Sequence, residues 1–464
     1  MDQYKTPGVY VEETSTLAPS VAGVATAIPA FVGYTQIEQD APVKITSLLE
    51  YKEIFGETPA LSFKDGVLTG KDSVMYNSIR MYYDNGGTVC YIVSVKRKKI
   101  EKTEKGEKIV DIPAVDGYSD AIAKVADIDE VTLLACPDAA IILNAEDLKS
   151  VHEKMVAHCA TLKDRFAILD VKTDLAATGT TTNIIEKDIA NFRTISAEGL
   201  KYAAAYYPFI KSAYKADIPY ATVIAYMQSD ARYKKDANLT EAAKETDTIK
   251  QKAFAANLAN YAKALAELQD EASVITPSGA VVGAIVRTDN NSGVWKAPAN
   301  VAISSVKSVT RPINDTIQSG LNIDETGGLS VNAIRVFTGK GTLIWGARTL
   351  DGNDNEWRYI PVRRLFNYIE ESVQKSTAWA VFQPNDANTW VKIKCQISNF
   401  LTGLWREGAL AGATPDEAYF VNVGLGITMT EDDIYNGNLK VEVGLAAVRP
   451  AEFIVLTFSH KVQE

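Results

Sequence analysis

Three histidines and four cysteines in 464 residues leave little with which to hold a metal. His152 and His158 are six apart, so they do not stand side by side on a helix. With Cys159 they lack a fourth ligand at a workable spacing, and no metal is expected. Cys90, Cys136, Cys159 and Cys395 form no CxxC pair and read as reduced, mostly buried thiols of a chain folded in a cytosol. No run approaches the roughly 18–20 apolar residues of a membrane span, so no membrane insertion is expected. Met1 to Pro19 carries acidic residues and no apolar core, so it is not expected to act as a secretion signal. Glycine is common, yet there is no GxGxxG, no P-loop and no GxSxG elbow. No cofactor is therefore expected. Basic side chains are outnumbered 48 to 58, for a net charge of −10, and such a chain repels phosphate on average. Nucleic acid is not an expected partner.

Two acids remain as candidates for chemistry. Asp138 and Asp170 each follow an apolar run, where open α/β sheets place a catalytic carboxylate. Aspartate there also starts turns and caps helices, and that is the expected role. An α/β enzyme with a strand-end carboxylate is the alternative.

What is present is a succession of strand and helix patterns. "AFVGYT" (30–35), "TVCYIVSV" (88–95), "VTLLACPDA" (131–139), "RFAILDV" (165–171) and "KYAAAYYPFIKSA" (201–213) are apolar runs of strand length, the last broken by Pro208. Continuous apolar strands imply a sheet covered on both faces. "SLLEYKEIFG" (47–56) is a helix stopped by Gly56, and "DSVMYNSIRMYYDNGG" (72–87) is another, with Asp72 as its expected cap. Residues 145–162 have helical periodicity. The charged stretch 96–110 reads as a solvated hairpin. The Ala-rich stretch 238–272 reads as helix with a thin stripe through Ile249, Ala253 and Ala256. A helix from about Pro361 should bury Val362, Leu365, Phe366, Ile369 and Val373, with Arg363, Arg364, Asn367, Glu370 and Gln374 turned away. A later one should bury Ile393, Ile397, Phe400, Leu401 and Leu404. "LKVEVGLAAV" (439–448) alternates as a strand.

Both ends read as strands without neighbours. Near the start, Val9, Tyr10 and Val11 alternate in a short strand. Near the end, Phe453, Ile454, Val455, Leu456 and Phe458 put bulky apolar groups on both faces. Left exposed, such a segment invites edge-to-edge aggregation. Either these strands close the chain's own sheet, or they complete the sheet of another copy.

Six stretches carry a family resemblance. "RTDNNSGVWKAPAN" (287–300), "WGARTL" (345–350), "WRYIPVRRLFNYIEESV" (357–373), "VFQPND" (381–386), "FLTGLWREGALAGATPDEAYFV" (400–421) and "RPAEFIV" (449–455) occur in the order found in phage-type contractile tail sheath proteins. "TPGVYVEE" (6–13) is similar to the start of those proteins. The resemblance implies a structural subunit of mixed α/β and α+β fold. It implies an N-terminal arm (1–20), an inner sheath domain (21–95 and 277–445), an inserted outer α/β domain (96–276) and a C-terminal arm (446–464). Such subunits form six-membered rings stacked helically around an inner tube protein, between a baseplate and a terminator or cap. They contract to drive the tube through a target envelope, in a phage tail, a tailocin or an extracellular injection system. Their mature place would be a virion tail or a phage-tail-like particle assembled in a bacterial cytoplasm. The arms would join the sheets of neighbouring subunits, with linkers near 18–25 and 446–450 absorbing their reorientation. The resemblance also points a C-terminal helix at the tube, and Lys392, Lys394 and Arg406 are the candidates for that contact. A non-contractile tube or shell subunit remains a further alternative.

Overall fold

The computed structural model describes residues 20–71, 74–103, 106–112, 114–236 and 238–454. The chain divides into two compact units. The larger, residues 25–368 with 449 onward, is a sheet unit. The smaller comprises residues 369–448 with the segment up to Val24.

The sheet unit is built on nine strands, in the order Val301–Ala302, Gly341–Trp345, Val331–Phe337, Ala203–Tyr207, Phe166–Asp170, Leu133–Ala135, Pro29–Gly33, Cys90–Ser94 and Val43–Ile45. The run from Val331–Phe337 to Cys90–Ser94 is parallel throughout, and antiparallel strands close both edges. Side chains of successive residues alternate between two cores, as a pleated strand requires. Ala30, Val32, Leu134, Ala167, Leu169, Ala203 and Ala205 enter one, with the helices Ala114–Val125, Ala145–Leu162 and Thr181–Phe192. Phe31, Leu133, Ala135, Phe166, Ile168, Ala204 and Tyr206 enter the other, with the helices Leu48–Phe55, Met75–Asp84 and Ser278–Ser292. This is the two-faced burial that the continuous apolar runs imply.

The expected division at residues 96 and 276 does not separate these strands. Leu133–Ala135 lies directly beside Pro29–Gly33, and Ala203–Tyr207 directly beside Val331–Phe337. Parallel neighbours are joined by crossovers, so strands distant in sequence become adjacent in space. A separate small core does form from the Ser62–Lys64/Val67–Thr69 hairpin and the helices Tyr220–Ser229, Leu239–Ala242 and Tyr261–Ala272. The Ala-rich stretch is three helices, Leu239–Ala242, Thr248–Asn257 and Tyr261–Ala272. Asp247 caps the middle one through the Ile249 and Lys250 N–H groups, and Asn260, at φ 71°, precedes the third. The stripe drawn through Ile249 is not the buried one. Ile249 is 78% exposed, and Leu239, Ala242, Leu258, Ala264 and Leu268 are inside.

Other local rules hold closely. Leu48–Phe55 starts where Ser47 accepts the Glu50 N–H and ends at Gly56, whose φ of 82° suits glycine. Asp72, the expected cap of the next helix, lies outside the described residues. Met75–Asp84 and Ser278–Ser292 meet through glycine. A Cβ on Gly279 would stand 2.3 Å from the Ser78 carbonyl, and one on Gly283 would stand 2.4 Å from that of Tyr82. Residues Lys98–Thr103 and Gly106–Asp111 pair as the expected hairpin.

In the smaller unit, helix Ala387–Arg406 is capped by Asp386 and buries Ile393, Ile397, Leu401 and Leu404, while Phe400 is half-buried. It packs on the two-stranded sheet Tyr419–Val423/Val441–Leu445. The Tyr419 hydroxyl lies 2.7 Å from Thr402 Oγ1 and donates to the Ser398 carbonyl at 3.1 Å. Among the described residues, no helix is long and apolar enough to cross a membrane.

Candidate assembly surfaces

The two strand-end acids are absorbed into the sheet unit's own architecture. Asp138 accepts the Tyr34 N–H and the Tyr118 hydroxyl, both at 2.6 Å. Burial pushes its carboxyl up to about 6 against the pull of those hydrogen bonds. Gly33 makes room for it, since a Cβ there would lie 2.6 Å from Oδ1. Asp170 accepts the Ser278 N–H at 2.9 Å, at the start of helix Ser278–Ser292, and burial pushes it up to about 7. Each acid therefore ties a loop or helix start to a strand end. His152 is buried against Phe192 and held down to about 3 by burial, and His158 down to about 4 by burial and then Arg165. No group of three or more His, Cys, Asp or Glu side chains is arranged for a metal among the described residues.

The family motifs converge on ion pairs inside the sheet unit. Arg364, from "PVRRLF", clasps Asp289, from "RTDNNSG", through Nη1–Oδ1 at 2.9 Å and Nη2–Oδ2 at 2.6 Å, both side chains buried. Arg363 is buried too, its guanidinium 4.3 Å from the Trp357 ring centroid and its Nε bonded to Asn367 Oδ1 at 2.8 Å. The expectation that Arg363, Arg364 and Asn367 turn away from the core is corrected. A charge is buried when its partner is buried with it, and a helical wheel does not display the partner.

Glu452, from "RPAEFIV", meets Arg348, from "WGARTL", with Nε–Oε1 at 3.0 Å and Nη2–Oε2 at 2.7 Å. Asn322 Nδ2 donates to Oε1 at 2.7 Å and the Tyr359 hydroxyl to Oε2 at 2.9 Å. Burial would raise this carboxyl, but the hydrogen bonds and the Arg348 charge hold it below its ordinary value. Sequence reasoning does not reach this cluster, because nothing local to Glu452 or to Arg348 specifies the other.

The segment expected to be an arm from residue 446 is fixed further than that. Val448 N–H bonds the Ala409 carbonyl and Ala411 N–H bonds that of Ala446, inside the smaller unit. The linker near 18–25 is likewise tied down, with Ala22 and Val24 N–H donating to Ser376 and Ser372 Oγ at 3.1 Å. Of the arm residues, Phe453 and Ile454 are 68% and 79% exposed. Val9, Tyr10, Val11, Val455, Leu456 and Phe458 lie outside the described residues.

Lys392, Lys394 and Arg406 are all exposed on helix Ala387–Arg406. Two residues of helix separate the lysines by about 160°, so they stand on opposite margins of the exposed stripe. Val391, Cys395 and Asn399 run between them, and Arg406 lies at the far end. The antiparallel pair Tyr419–Val423/Val441–Leu445 is a sheet of two strands, and beyond the single bridge of Leu410 to Ala447 its outer edges carry no further strand among the described residues.

This architecture matches known proteins over its whole length. A chain of the cryo-EM structure of an extracellular contractile injection system, the PVC sheath complex in contracted state, is 31% identical, with a TM-score of 0.66. The alignment covers 100% of this chain and 99% of that one. The protein belongs to the contractile sheath family. The family model of the phage tail sheath C-terminal domain matches residues 352–461 of this sheath protein. The helical sheath of the anti-feeding prophage (AFP) in contracted state is 29% identical, with a TM-score of 0.62, over 99% of this chain and 100% of that one. The tail sheath protein of Vibrio phage KVP40 is 26% identical over 145 residues, which are 31% of this chain and 21% of the phage protein. The sheath chain thus spans about a fifth of the length of that phage relative. It is a structural sheath subunit of mixed α/β fold.

Proposed function

We propose that this sheath subunit polymerises around an inner tube in stacked six-membered rings and contracts to drive the tube through a target envelope. The observation that carries the reading is the end-to-end match, at 31% identity, to a sheath in its contracted state. Catalysis has no part in it, and its two buried strand-end acids are structural. A baseplate and a cap would bound the cylinder, and assembly in a bacterial cytoplasm would precede release in a virion tail or phage-tail-like particle.

The two-stranded sheet supports a specific picture of how copies connect. Two strands alone are marginal, and open edges are ready templates for pairing. The terminal arms, through Val9, Tyr10 and Val11 and through Phe453 to Phe458, add strands to the two-stranded sheet of neighbouring copies. Backbone pairing of that kind survives rotation of the bodies it joins. Helix Ala387–Arg406 turns its exposed stripe to the tube.

Electron microscopy of the purified protein tests the reading. Wide, cog-edged hollow cylinders are expected, and deletion of Met1–Ser15 should leave folded subunits that do not polymerise. Thin smooth tubes or isolated particles from the full chain would overturn it. Cylinders from the truncated chain would overturn the role of the N-terminal arm.

A further inference from the structure

Where the C-terminal arm is rooted follows from one carboxylate. The chain is assigned to the smaller unit up to Val448 and to the sheet unit from Arg449. Among the described residues 449–454, the hydrogen bonds into the sheet unit all run through the Glu452 side chain. The next two residues, Phe453 and Ile454, are exposed. We propose that Glu452 is the anchor of the C-terminal arm, clamped by Arg348, Asn322 and Tyr359 so that a pull on the residues beyond it is borne by the sheet unit.

The clamp is built to carry load. Arg348 presents a bidentate fork, the geometry that adds direction as well as strength to a carboxylate contact. Arg348 is itself buried and fixed from behind, its N–H donating to Asn332 Oδ1 at 2.8 Å. Asn332 sits in strand Val331–Phe337 and donates to the Ala205 carbonyl of the neighbouring strand at 3.2 Å. A pull applied at Phe453 therefore passes through Glu452 and Arg348 into two parallel strands of the large sheet. Without the clamp it would pass along residues 449–451 to the pairing of Val448 with Ala409. A carboxylate suits this place because its two oxygens accept from three side chains at once, and each such charge-assisted bond is about twice as strong as a neutral one.

The inference rests on the arm reading above, and the test separates the two. Glu452→Ala, Glu452→Gln and a chain ending at Ile454 are compared with the full chain. The readouts are the melting temperature of the subunit and the yield of sedimentable cylinders. The truncated chain should form no cylinders. Glu452→Ala leaves the buried Arg348 guanidinium without its carboxylate and should lower the subunit melting temperature by several degrees while the subunit still folds. It should also lower cylinder yield about tenfold or more, because every hydrogen bond of the clamp is lost with the carboxylate. Glu452→Gln, which keeps the shape and part of the bonding, should fall between and decides the matter if the alanine variant does not fold. If truncation blocks assembly while both Glu452 variants assemble like the full chain, the anchor is refuted. If the truncated chain assembles normally, the arm reading fails and takes the anchor with it.

Discussion

Asp170 has one carboxylate oxygen on the Ser278 N–H and another with no partner among the described residues. Burial makes the charged form expensive and raises the group from 3.8 to about 7. The folded state therefore binds this proton more tightly than the unfolded chain does. The group's contribution to stability is full below about pH 4 and is lost as pH rises through 7. Asp170→Asn keeps the acceptor for Ser278 and removes the titration. The difference in stability between wild type and variant should shift in the variant's favour between pH 4 and pH 8, by on the order of 3–4 kcal/mol. Thermal melts across that range measure it, and a flat difference would show that Asp170 is charged throughout. Asp138 is the poorer probe, because both of its oxygens already have donors.

Among the elements, glycines make the sharpest test because two opposing effects have known sizes. In a helix interior Gly→Ala gains about 1 kcal/mol of intrinsic propensity. At Gly283 the new Cβ would meet the Tyr82 carbonyl at 2.4 Å, and such overpacking costs about 1–3 kcal/mol. At Gly403, in helix Ala387–Arg406, a Cβ would meet nothing within 4 Å. Gly283→Ala should lower the subunit's melting temperature and Gly403→Ala should raise it slightly. The same scale shows what the sequence makes legible. Helix Leu48–Phe55 could be read from its apolar spacing and Gly56, and the central strands from their apolar runs, because stop signals and periodicity are local. The breaks at Asp247 and Asn260 were hidden because alanine suits helix in any register and leaves no strong stripe to mark a break. Leu133–Ala135 beside Pro29–Gly33, Arg364 on Asp289 and Glu452 on Arg348 were hidden for another reason. Each joins residues more than 70 positions apart, and nothing local to either partner specifies the other. The motif resemblance located all four of those charged residues within family segments, Glu452 in the one that also opens the expected C-terminal arm. Their pairing needed the fold.

At the scale of the whole molecule, the proposed tube-facing surface can be tested with a residue already in place. Of the four cysteines, Cys90, Cys136 and Cys159 are buried and Cys395 is exposed, midway along the stripe between Lys392 and Lys394. Burial also raises the three inner thiols, Cys90 to about 12, so they hold their protons at neutral pH and react slowly. A maleimide should therefore label the free subunit at one site. If helix Ala387–Arg406 faces the tube, cylinders assembled around tube should protect Cys395, while cylinders formed without tube should leave it reactive. Protection in both would place the stripe against another sheath subunit. The charges then distinguish attraction from mere proximity. Lys392→Glu with Lys394→Glu reverses both margins of the stripe, and if the lysines meet acidic groups on the tube, the reversed charges would repel them at contact distance. That double variant should keep a folded subunit and lose co-assembly with tube, more completely at low salt than at high. Undiminished co-assembly at low salt would remove the lysines from the contact and leave Val391, Cys395 and Asn399 to make it by shape alone.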